Sequence, residues 1–287
     1  MQNLGFEIFD ILTRAQLTSS AIYIVAKLRL ADYLKDGPKS VEDLAEMTKT
    51  HPDSLYRLLR MLSSIGIFAE IIKEDEEQQQ VDNTIRQFEM TPMASHIQSD
   101  AKNSISNFAL MFGLESFKNA IDDLLYSIQT GENSFKHANG LDMYEYLNRI
   151  QKEGQIFNNA MASLTSSVTP LISAMYDFSQ FNTIIDNGGG QGILLSSILK
   201  DNPKLLGVLF DLPYAIQSAK KLYGEQSANS RENVNHDISS RCKLVEGDFF
   251  KSIPTTAADG YIIKNVILNW DDQSAAIILK NCLQAMK

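Results

Sequence analysis

The segment that most constrains the fold is 184–192, Ile-Ile-Asp-Asn-Gly-Gly-Gly-Gln-Gly, directly followed by the apolar run Ile193–Leu195. It predicts a buried strand that ends at Asp186, a glycine turn and the first turn of a helix. Glycine permits positive φ and a close approach of the backbone to a ligand, and a helix N-terminus offers unpaired N–H groups. The pattern therefore predicts a site for a nucleotide-like cofactor. A tight turn without a ligand is the alternative.

The spacing of the glycines separates two classes of cofactor. In the dinucleotide fingerprint the first, third and sixth positions are small, but the sixth position counted from Gly188 is Ile193. Gly188, Gly190 and Gly192 are spaced by twos, and Asp186 precedes the first of them by two residues. This arrangement instead suits a ligand that carries methionine and ribose, so we expect S-adenosylmethionine.

Two further strand ends carry side chains that suit such a ligand. Gly207–Asp211 predicts a strand ending in a carboxylate 23 positions after Gly188, and carboxylates there accept ribose hydroxyl protons in doubly wound folds. Asp248 follows the third strand as a candidate acceptor for an adenine amino group, and Phe249 as a candidate for packing on the ring. Asp211 as a turn residue and Phe249 as ordinary core are the alternatives. The order of the three segments favours the cofactor.

The C-terminal part of the chain alternates short apolar strands with helical segments. We predict strands at Thr183–Asp186, Leu206–Asp211, Cys242–Glu246 and Gly260–Val266, and helices at Leu194–Lys200, Tyr214–Tyr223 and Gln273–Met286. Such alternation is typical of a parallel, doubly wound sheet. Residues 181–287 are therefore predicted to form a Rossmann-like α/β domain.

The N-terminal part has a different, mainly helical pattern. A helix over 11–35 is apolar around most of its circumference, so it must be buried on more than one side, and we expect a second copy of the chain to cover it. Two helices and two strands follow, at 40–50, 53–64, 67–72 and 88–91. This succession predicts a winged-helix-like module.

A winged helix raises the alternative of DNA binding. The helix over 53–64 carries only Arg57 and Arg60 as basic residues, and the whole chain has a net charge of −9. Phosphate recognition needs a basic surface. We therefore expect no nucleic-acid partner.

The composition limits the class and the location of the protein. A chain of 287 residues with 44% hydrophobic and 21% charged residues is typical of a globular protein of about two domains. We predict a dimerisation domain at 1–100, a helical linker that lines the substrate at 101–180, and the cofactor domain at 181–287. No apolar run approaches the roughly 20 residues that span a bilayer, and the two cysteines are far apart. We expect a cytoplasmic protein without a membrane partner, and four scattered histidines predict no metal site.

Several segments match one known family in the right order. They are Leu55–Leu62 with Gly66–Phe68, Phe157–Met161, Asp186–Gly192, Asp211–Pro213, Gly247–Phe249 and Lys264–Val266. Together they resemble the class I S-adenosylmethionine-dependent O-methyltransferases of the caffeate and acetylserotonin type. The resemblance implies a homodimer, a small aromatic hydroxyl substrate and a defined set of contacts. The implied cofactor residues are Gly188, Gly190, Asp211, Asp248, Phe249 and Lys264, and Met161 and Thr165 are further candidates that line the substrate.

The chain departs from the family pattern at two places. Where the family has a histidine base, an aspartate and a tryptophan in a row, this chain has Leu268, Asn269 and Trp270. Leucine cannot take a proton, so general-base catalysis, worth about 10²–10⁴-fold, is lost. The sequence also stops at Lys287, whereas the family continues with further strands. We therefore expect a cofactor domain truncated after its fourth strand, belonging to a fragment, to a degenerate relative or to a protein that another chain completes.

The sequence thus predicts S-adenosylmethionine-dependent transfer of a methyl group to a hydroxyl of a small aromatic molecule. The missing base leaves an alternative open. A protein of this fold can bind the cofactor and be catalytically impaired, or can use it for tailoring chemistry other than methylation.

Overall fold

The computed structural model describes residues 4–74, 84–101, 104–220, 239–255 and 258–286. The chain divides into two compact units, Met1–Tyr146 and Leu147–Lys287. The boundary lies inside the predicted linker 101–180, so the helices of that segment are divided between the units. The three-part division at residues 100 and 180 remains a prediction.

Helices dominate the first unit. Its elements are α1 (Leu4–Leu28), α2 (Leu30–Tyr33), β1 (Lys39–Ser40), α3 (Val41–Thr48), α4 (Pro52–Ser63), β2 (Phe68–Glu74), β3 (Thr84–Met90), α5 (Pro92–Ser95), α6 (Ser106–Phe112), α7 (Glu115–Asp122), α8 (Leu124–Thr130) and α9 (Ser134–Asn139), and α10 (Met143–Arg149) crosses the boundary. The three strands form an antiparallel sheet in the order β1–β3–β2. Two helices followed by a β-hairpin confirm the winged-helix-like fold.

Local signals in the sequence set the ends of α3 and α4. Ser40 Oγ accepts a hydrogen bond from the backbone N–H of Asp43 at 3.1 Å and so caps α3. Pro52 lies in the first turn of α4, where its missing N–H costs nothing. Gly66 follows the helix with a φ of +83°, a conformation that only glycine adopts without strain. Between these signals, apolar residues such as Leu59 are fully buried.

The N-terminal helix differs from its predicted bounds and has two distinct halves. It begins at Leu4 and ends at Leu28 rather than continuing to 35, because Arg29 adopts the left-handed conformation with a φ of +56°. Its second half is buried in the core of the unit through Ala21, Val25 and Ala26. The first half has seven large apolar side chains that are 58–72% exposed: Leu4, Phe6, Ile8, Phe9, Ile11, Leu12 and Leu17.

The second unit is an α/β domain. Its elements are α11 (Gln151–Met175), β4 (Thr183–Asn187), α12 (Ile193–Asp201), β5 (Leu206–Asp211), α13 (213–220), β6 (Cys242–Glu246), β7 (Gly260–Ile262) and α14 (Asp272–Ala285), with 3₁₀ turns at Phe178–Gln180 and Ile267–Asn269. The four strands are parallel, in the order β6–β5–β4–β7. Apolar clusters lie on both faces of the sheet. This arrangement confirms the Rossmann-like prediction. The predicted helix Tyr214–Tyr223 extends beyond the described residues after 220.

The fourth strand is shorter than predicted. We expected Gly260–Val266, but β7 ends at Ile262. Its partner β4 ends at Asn187, where the glycine turn begins, and the last paired residues are Asp186 and Ile262. Residues 263–266 therefore leave the sheet, and Asn265 turns the chain with a φ of +56°.

Candidate functional site

The carboxyl ends of the four parallel strands bring the predicted site residues to one edge of the sheet. Asp186 ends β4, Asp211 ends β5, and Asp248 follows β6. Lys264 follows β7 by two residues. Ligands of open α/β sheets bind beyond this edge. The topology therefore brings together residues up to 78 positions apart in the sequence.

The turn after β4 is built from glycines in conformations that other residues avoid. Gly188, Gly190 and Gly192 have φ values of +77°, +61° and +75°. The backbone N–H of Gly188 donates to the carbonyl of Phe210 at 2.8 Å, which ties the turn to β5. A Cβ on Gly188 would lie 2.6 Å from Val266 Cγ2, whereas one on Gly190 would meet open space. The turn, called the glycine loop below (residues 188–192), is therefore closed at its start and open at its centre.

Asp211 is held at the loop by backbone hydrogen bonds. Its Oδ2 accepts from the N–H of Gly190 at 2.7 Å and its Oδ1 accepts from the N–H of Leu212 at 2.6 Å. Burial raises the pKa of this carboxyl, and the two N–H donors oppose the rise. A carboxylate has about four lone-pair positions. Asp211 thus keeps acceptor capacity for hydroxyl donors beyond its two internal bonds.

A second acid, Asp186, lies beneath the loop with a lysine nearby. Asp186 is only 2% exposed. Burial and, to a lesser extent, the negative charge of Asp211 raise its pKa to about 7, against the opposing effect of Lys264. Burial also lowers the pKa of Lys264, an effect that Asp186 opposes. Lys264 Nζ donates to Thr165 Oγ1 of α11 at 3.2 Å, so two of the predicted residues meet in one hydrogen bond.

Asp248 and Phe249 form the third part of the edge. Asp248 Oδ1 accepts from the N–H of Phe250 at 2.9 Å. The Phe249 ring lies edge-to-face with Phe250 and Trp270, at centroid distances of 5.0 and 6.2 Å. A Cβ on Gly188 would be 3.7 Å from Phe249 Cε1. Phe249 therefore contributes to a partly buried aromatic cluster and also flanks the glycine loop.

Leu268 lies on the 3₁₀ turn that precedes Trp270, and its side chain is 74% exposed. Asn269 Nδ2 donates to the carbonyl of Asn265 at 2.9 Å, so the amide stabilises the turn itself. The four histidines are at positions 51, 96, 137 and 236. The second unit includes just one of them, His236, which lies outside the described residues. Its described part thus has no imidazole to act as a base.

A chain of side-chain amides links the glycine loop to two helices, and the sequence analysis missed it. Gln191 Nε2 donates to Asn159 Oδ1 at 3.0 Å, and Gln155 Nε2 donates to the same oxygen at 2.9 Å. Ser218 Oγ of α13 donates to Gln155 Oε1 at 3.2 Å. Asn159 and Gln191 are 32 positions apart, so no spacing in the sequence indicates their pairing. Met161 lies on α11 one turn before Thr165 and is partly buried.

The described residues include neither a candidate metal site nor a candidate membrane-spanning helix. They contain no group of three His, Cys, Asp or Glu side chains that could hold a metal ion. Nor does any of their helices combine the length and apolarity needed to cross a bilayer.

Comparison with known proteins finds one family over both units. A profile described as an O-methyltransferase domain matches residues 121–287, and one described as an O-methyltransferase dimerisation domain matches 7–98. The phenazine O-methyltransferase PhzM of Lysobacter antibioticus is 36% identical over 268 residues, which are 93% of this chain and 72% of that protein.

Two solved structures extend the comparison. The crystal structure of LaPhzM superposes with a TM-score of 0.83 at 35% identity, covering 99% of this chain and 78% of the other. The O-methyltransferase NcsB1 from neocarzinostatin biosynthesis was crystallised with S-adenosylmethionine and 2-hydroxy-5-methyl naphthoic acid. It superposes with a TM-score of 0.73 at 26% identity, covering 94% of this chain and 76% of that chain.

Proposed function

Since this chain belongs to the family of S-adenosylmethionine-dependent O-methyltransferases that carry an N-terminal dimerisation domain, we propose that its cofactor binds at the glycine loop. The proposal assigns cofactor contacts to Gly188, Gly190, Asp211, Asp248, Phe249 and Lys264. The observation that carries it is the convergence of these residues at one edge of the sheet, with Asp211 hydrogen-bonded to the loop at 2.7 Å.

The residues at this edge fit the chemistry of the cofactor. Asp211 has spare acceptor capacity for the two ribose hydroxyls. Gly190 leaves open space where a side chain would begin, so a ligand can approach the backbone closely. The Phe249 ring offers a flat apolar surface beside the loop for the adenine. Lys264 is a cationic donor for the methionine carboxylate.

Methyl transfer needs the acceptor oxygen in line with the methyl group, and the bound cofactor supplies that methyl on an electrophilic sulfonium. The contribution of this chain is then to hold the two reactants in position, which is catalysis by proximity and orientation. Thr165 and Met161 of α11 are the residues that we assign to the substrate side, because Thr165 contacts Lys264 and Met161 lies one turn away on the same helix.

We assign the acceptor to small aromatic hydroxyl compounds. The similar proteins act on a phenazine or were crystallised with a naphthoic acid, both of which are flat and aromatic. With Leu268 in the place of the base, the described part of the second unit has no imidazole to deprotonate the hydroxyl. We therefore favour acceptors that ionise readily in water, such as hydroxyquinones.

We also propose that the protein is a homodimer formed through α1. The first half of this helix has seven large apolar side chains in contact with solvent. Exposed apolar patches of this kind mark interaction surfaces, and the dimerisation profile begins within the same helix, at residue 7. A second copy of α1 and its surroundings is the occupant that the family implies.

Calorimetric titration of the purified chain with S-adenosylmethionine tests the cofactor assignment. Asp211→Ala leaves buried hydroxyls without an acceptor, so we expect affinity to fall about 5- to 150-fold. Asp201→Ala is the matched control, because Asp201 is an exposed acid at the end of α12 in the same unit. Binding by Asp211→Ala as tight as that of the parent would refute the assignment.

A further inference from the structure

The glycine loop has one side chain by which the rest of the fold can hold it. Between Asn187 and Ile193 the residues are Gly188, Gly189, Gly190, Gln191 and Gly192. Glycine loses more backbone freedom on ordering than any other residue. A loop with four glycines is therefore costly to keep in one conformation. Asp211 holds its backbone at Gly190, and Gln191 is the one residue of the loop whose own side chain can attach it to the rest of the fold.

That attachment is made to α11. Gln191 Nε2 donates to Asn159 Oδ1 at 3.0 Å, and the same oxygen accepts from Gln155 Nε2 at 2.9 Å. All three side chains are partly buried. Water therefore replaces a lost bond poorly at this place.

The hydrogen bonds continue from α11 to α13. Gln155 Oε1 accepts from Ser218 Oγ at 3.2 Å, and Ser218 lies on α13, which begins two residues after Asp211. Asn158 Nδ2 also approaches Ser218 Oγ, at 3.5 Å. One face of α11 is thus bonded to the glycine loop and to the helix that follows Asp211.

We propose that Asn159 is a positioning residue for the cofactor, because its side-chain oxygen holds Gln191 and so keeps the glycine loop in the conformation that binds. Asn159 acts on the cofactor only through the loop. Its effect is preorganisation, in which the ordering cost is met before the ligand arrives. This inference rests on the proposed binding of the cofactor at the glycine loop.

Two substitutions at position 159 separate positioning from general damage. Asn159→Leu keeps the approximate size and removes the acceptor, so S-adenosylmethionine should bind about 2- to 12-fold more weakly in calorimetric titration. Asn159→Asp keeps an acceptor oxygen for both amide donors, so its affinity should stay within about twofold of the parent. Hydrogen exchange of the cofactor-free 188–192 peptide should rise in Asn159→Leu and not in Asn159→Asp.

The bond itself is tested by a double-mutant cycle. Gln191→Leu removes the other partner and should weaken binding as much as Asn159→Leu, while the double variant should be no weaker than either single variant. Additive losses, equal impairment of Asn159→Asp and Asn159→Leu, or parental affinity in Asn159→Leu would each overturn the proposal. Gln191→Leu provides the same affinity test should Asn159→Leu fail to fold.

Asp211→Ala, measured in parallel, separates this inference from the proposed cofactor site. A loss of affinity in Asp211→Ala without a loss in Asn159→Leu and Gln191→Leu refutes the positioning role alone. Parental affinity in all three variants refutes the site assignment as well.

Discussion

At the scale of single residues, two glycines of one loop are required for different physical reasons. Gly188 has a φ of +77°, and a Cβ at this position would lie 2.6 Å from Val266 Cγ2. Any other residue here would therefore suffer both backbone strain and a steric clash. Gly190 has a φ of +61° and faces open space, so only the backbone conformation restricts it.

The pair Gly188→Ala and Gly190→Ala separates these effects. Left-handed backbone costs an alanine about 1–2 kcal/mol, and overpacking adds about 1–3 kcal/mol. We expect Gly190→Ala to lose only the first amount of unfolding free energy and Gly188→Ala to lose both. Urea unfolding followed by the fluorescence of Trp270, the single tryptophan of the chain, reports on this unit. Equal losses in the two variants would show that the contact with Val266 is relieved at no cost.

We expect position 268 to determine how the rate of methyl transfer depends on pH. A phenol with a pKa near 10 is ionised to only about one part in a thousand at neutral pH. Without a base, the rate should climb with pH as the acceptor ionises. Leu268→His should raise the rate at neutral pH and flatten that climb, because imidazole accepts protons near pH 7.

Initial rates with catechols and hydroxyquinones from pH 6 to 10 test this prediction on both proteins. Leu268→Gln is the control, since it adds polarity without a group that titrates in this range. A fast rate that does not vary with pH in the parent chain would show that another residue acts as the base.

At the scale of elements, α1 combines two roles along one helix. Its second half belongs to the core of its own unit, where Val25 is fully buried. Its first half presents apolar side chains to solvent. Deleting residues 1–35 would therefore remove core residues as well as the exposed surface, and substitutions within 4–17 are the cleaner test of dimerisation.

We expect the double variant Phe9→Asp/Leu12→Asp to be monomeric at micromolar concentration, while the parent is a dimer. Two carboxylates in a desolvated apolar interface cost more than the contacts that they replace. Arg14→Gln changes an exposed residue on the opposite side of the same helix from Phe9 and Leu12 and should leave the dimer intact. Sedimentation equilibrium measures all three proteins. A monomeric parent chain would contradict the proposal.

At the scale of the whole molecule, one buried acid makes stability depend on pH. The pKa of Asp186 is about 7 in the fold and about 3.9 in an unfolded chain. At a pH between these two values, Asp186 is ionised in the unfolded chain and still protonated in the folded one. The stability of the fold therefore falls as pH rises from about 4 to 7 and is level above that. By linkage, the contribution to unfolding free energy is about 2–3 kcal/mol between pH 5 and pH 8.

The side chain introduced by Asp186→Asn cannot ionise, so this variant should not lose stability as the pH rises. The unfolding free energy of Asp186→Asn minus that of the parent should therefore be larger at pH 8 than at pH 5. Asp259→Asn is the contrasting control. Hydrogen bonds from the N–H groups of Asn182 and Thr183 lower the pKa of Asp259, so its contribution is lost only in more acidic solution and its difference from the parent is constant over this range. Urea unfolding without cofactor measures both. An unchanged pH slope in Asp186→Asn would refute the prediction.

The sequence by itself determined the strand–helix alternation and the identity of the strand ends. Two strands, Leu206–Asp211 and Cys242–Glu246, have their predicted bounds. The first is a largely buried apolar run, as is typical of a central parallel strand, whereas the second lies at the edge of the sheet and is only partly buried. The convergence of Asp211, Asp248 and Lys264 was also predictable, because parallel strands end at a common edge of the sheet.

Only the tertiary structure decided features that depend on partners distant in sequence. The β7 strand ends early, since its pairing with β4 stops at Ile262 and the chain turns at Asn265. The raised pKa of Asp186 follows from its burial beside Asp211. The bond between Gln191 and Asn159 joins two polar residues that form no local pattern. Local sequence determines backbone propensity and periodicity, whereas desolvation and side-chain hydrogen bonding depend on what the fold places alongside each residue.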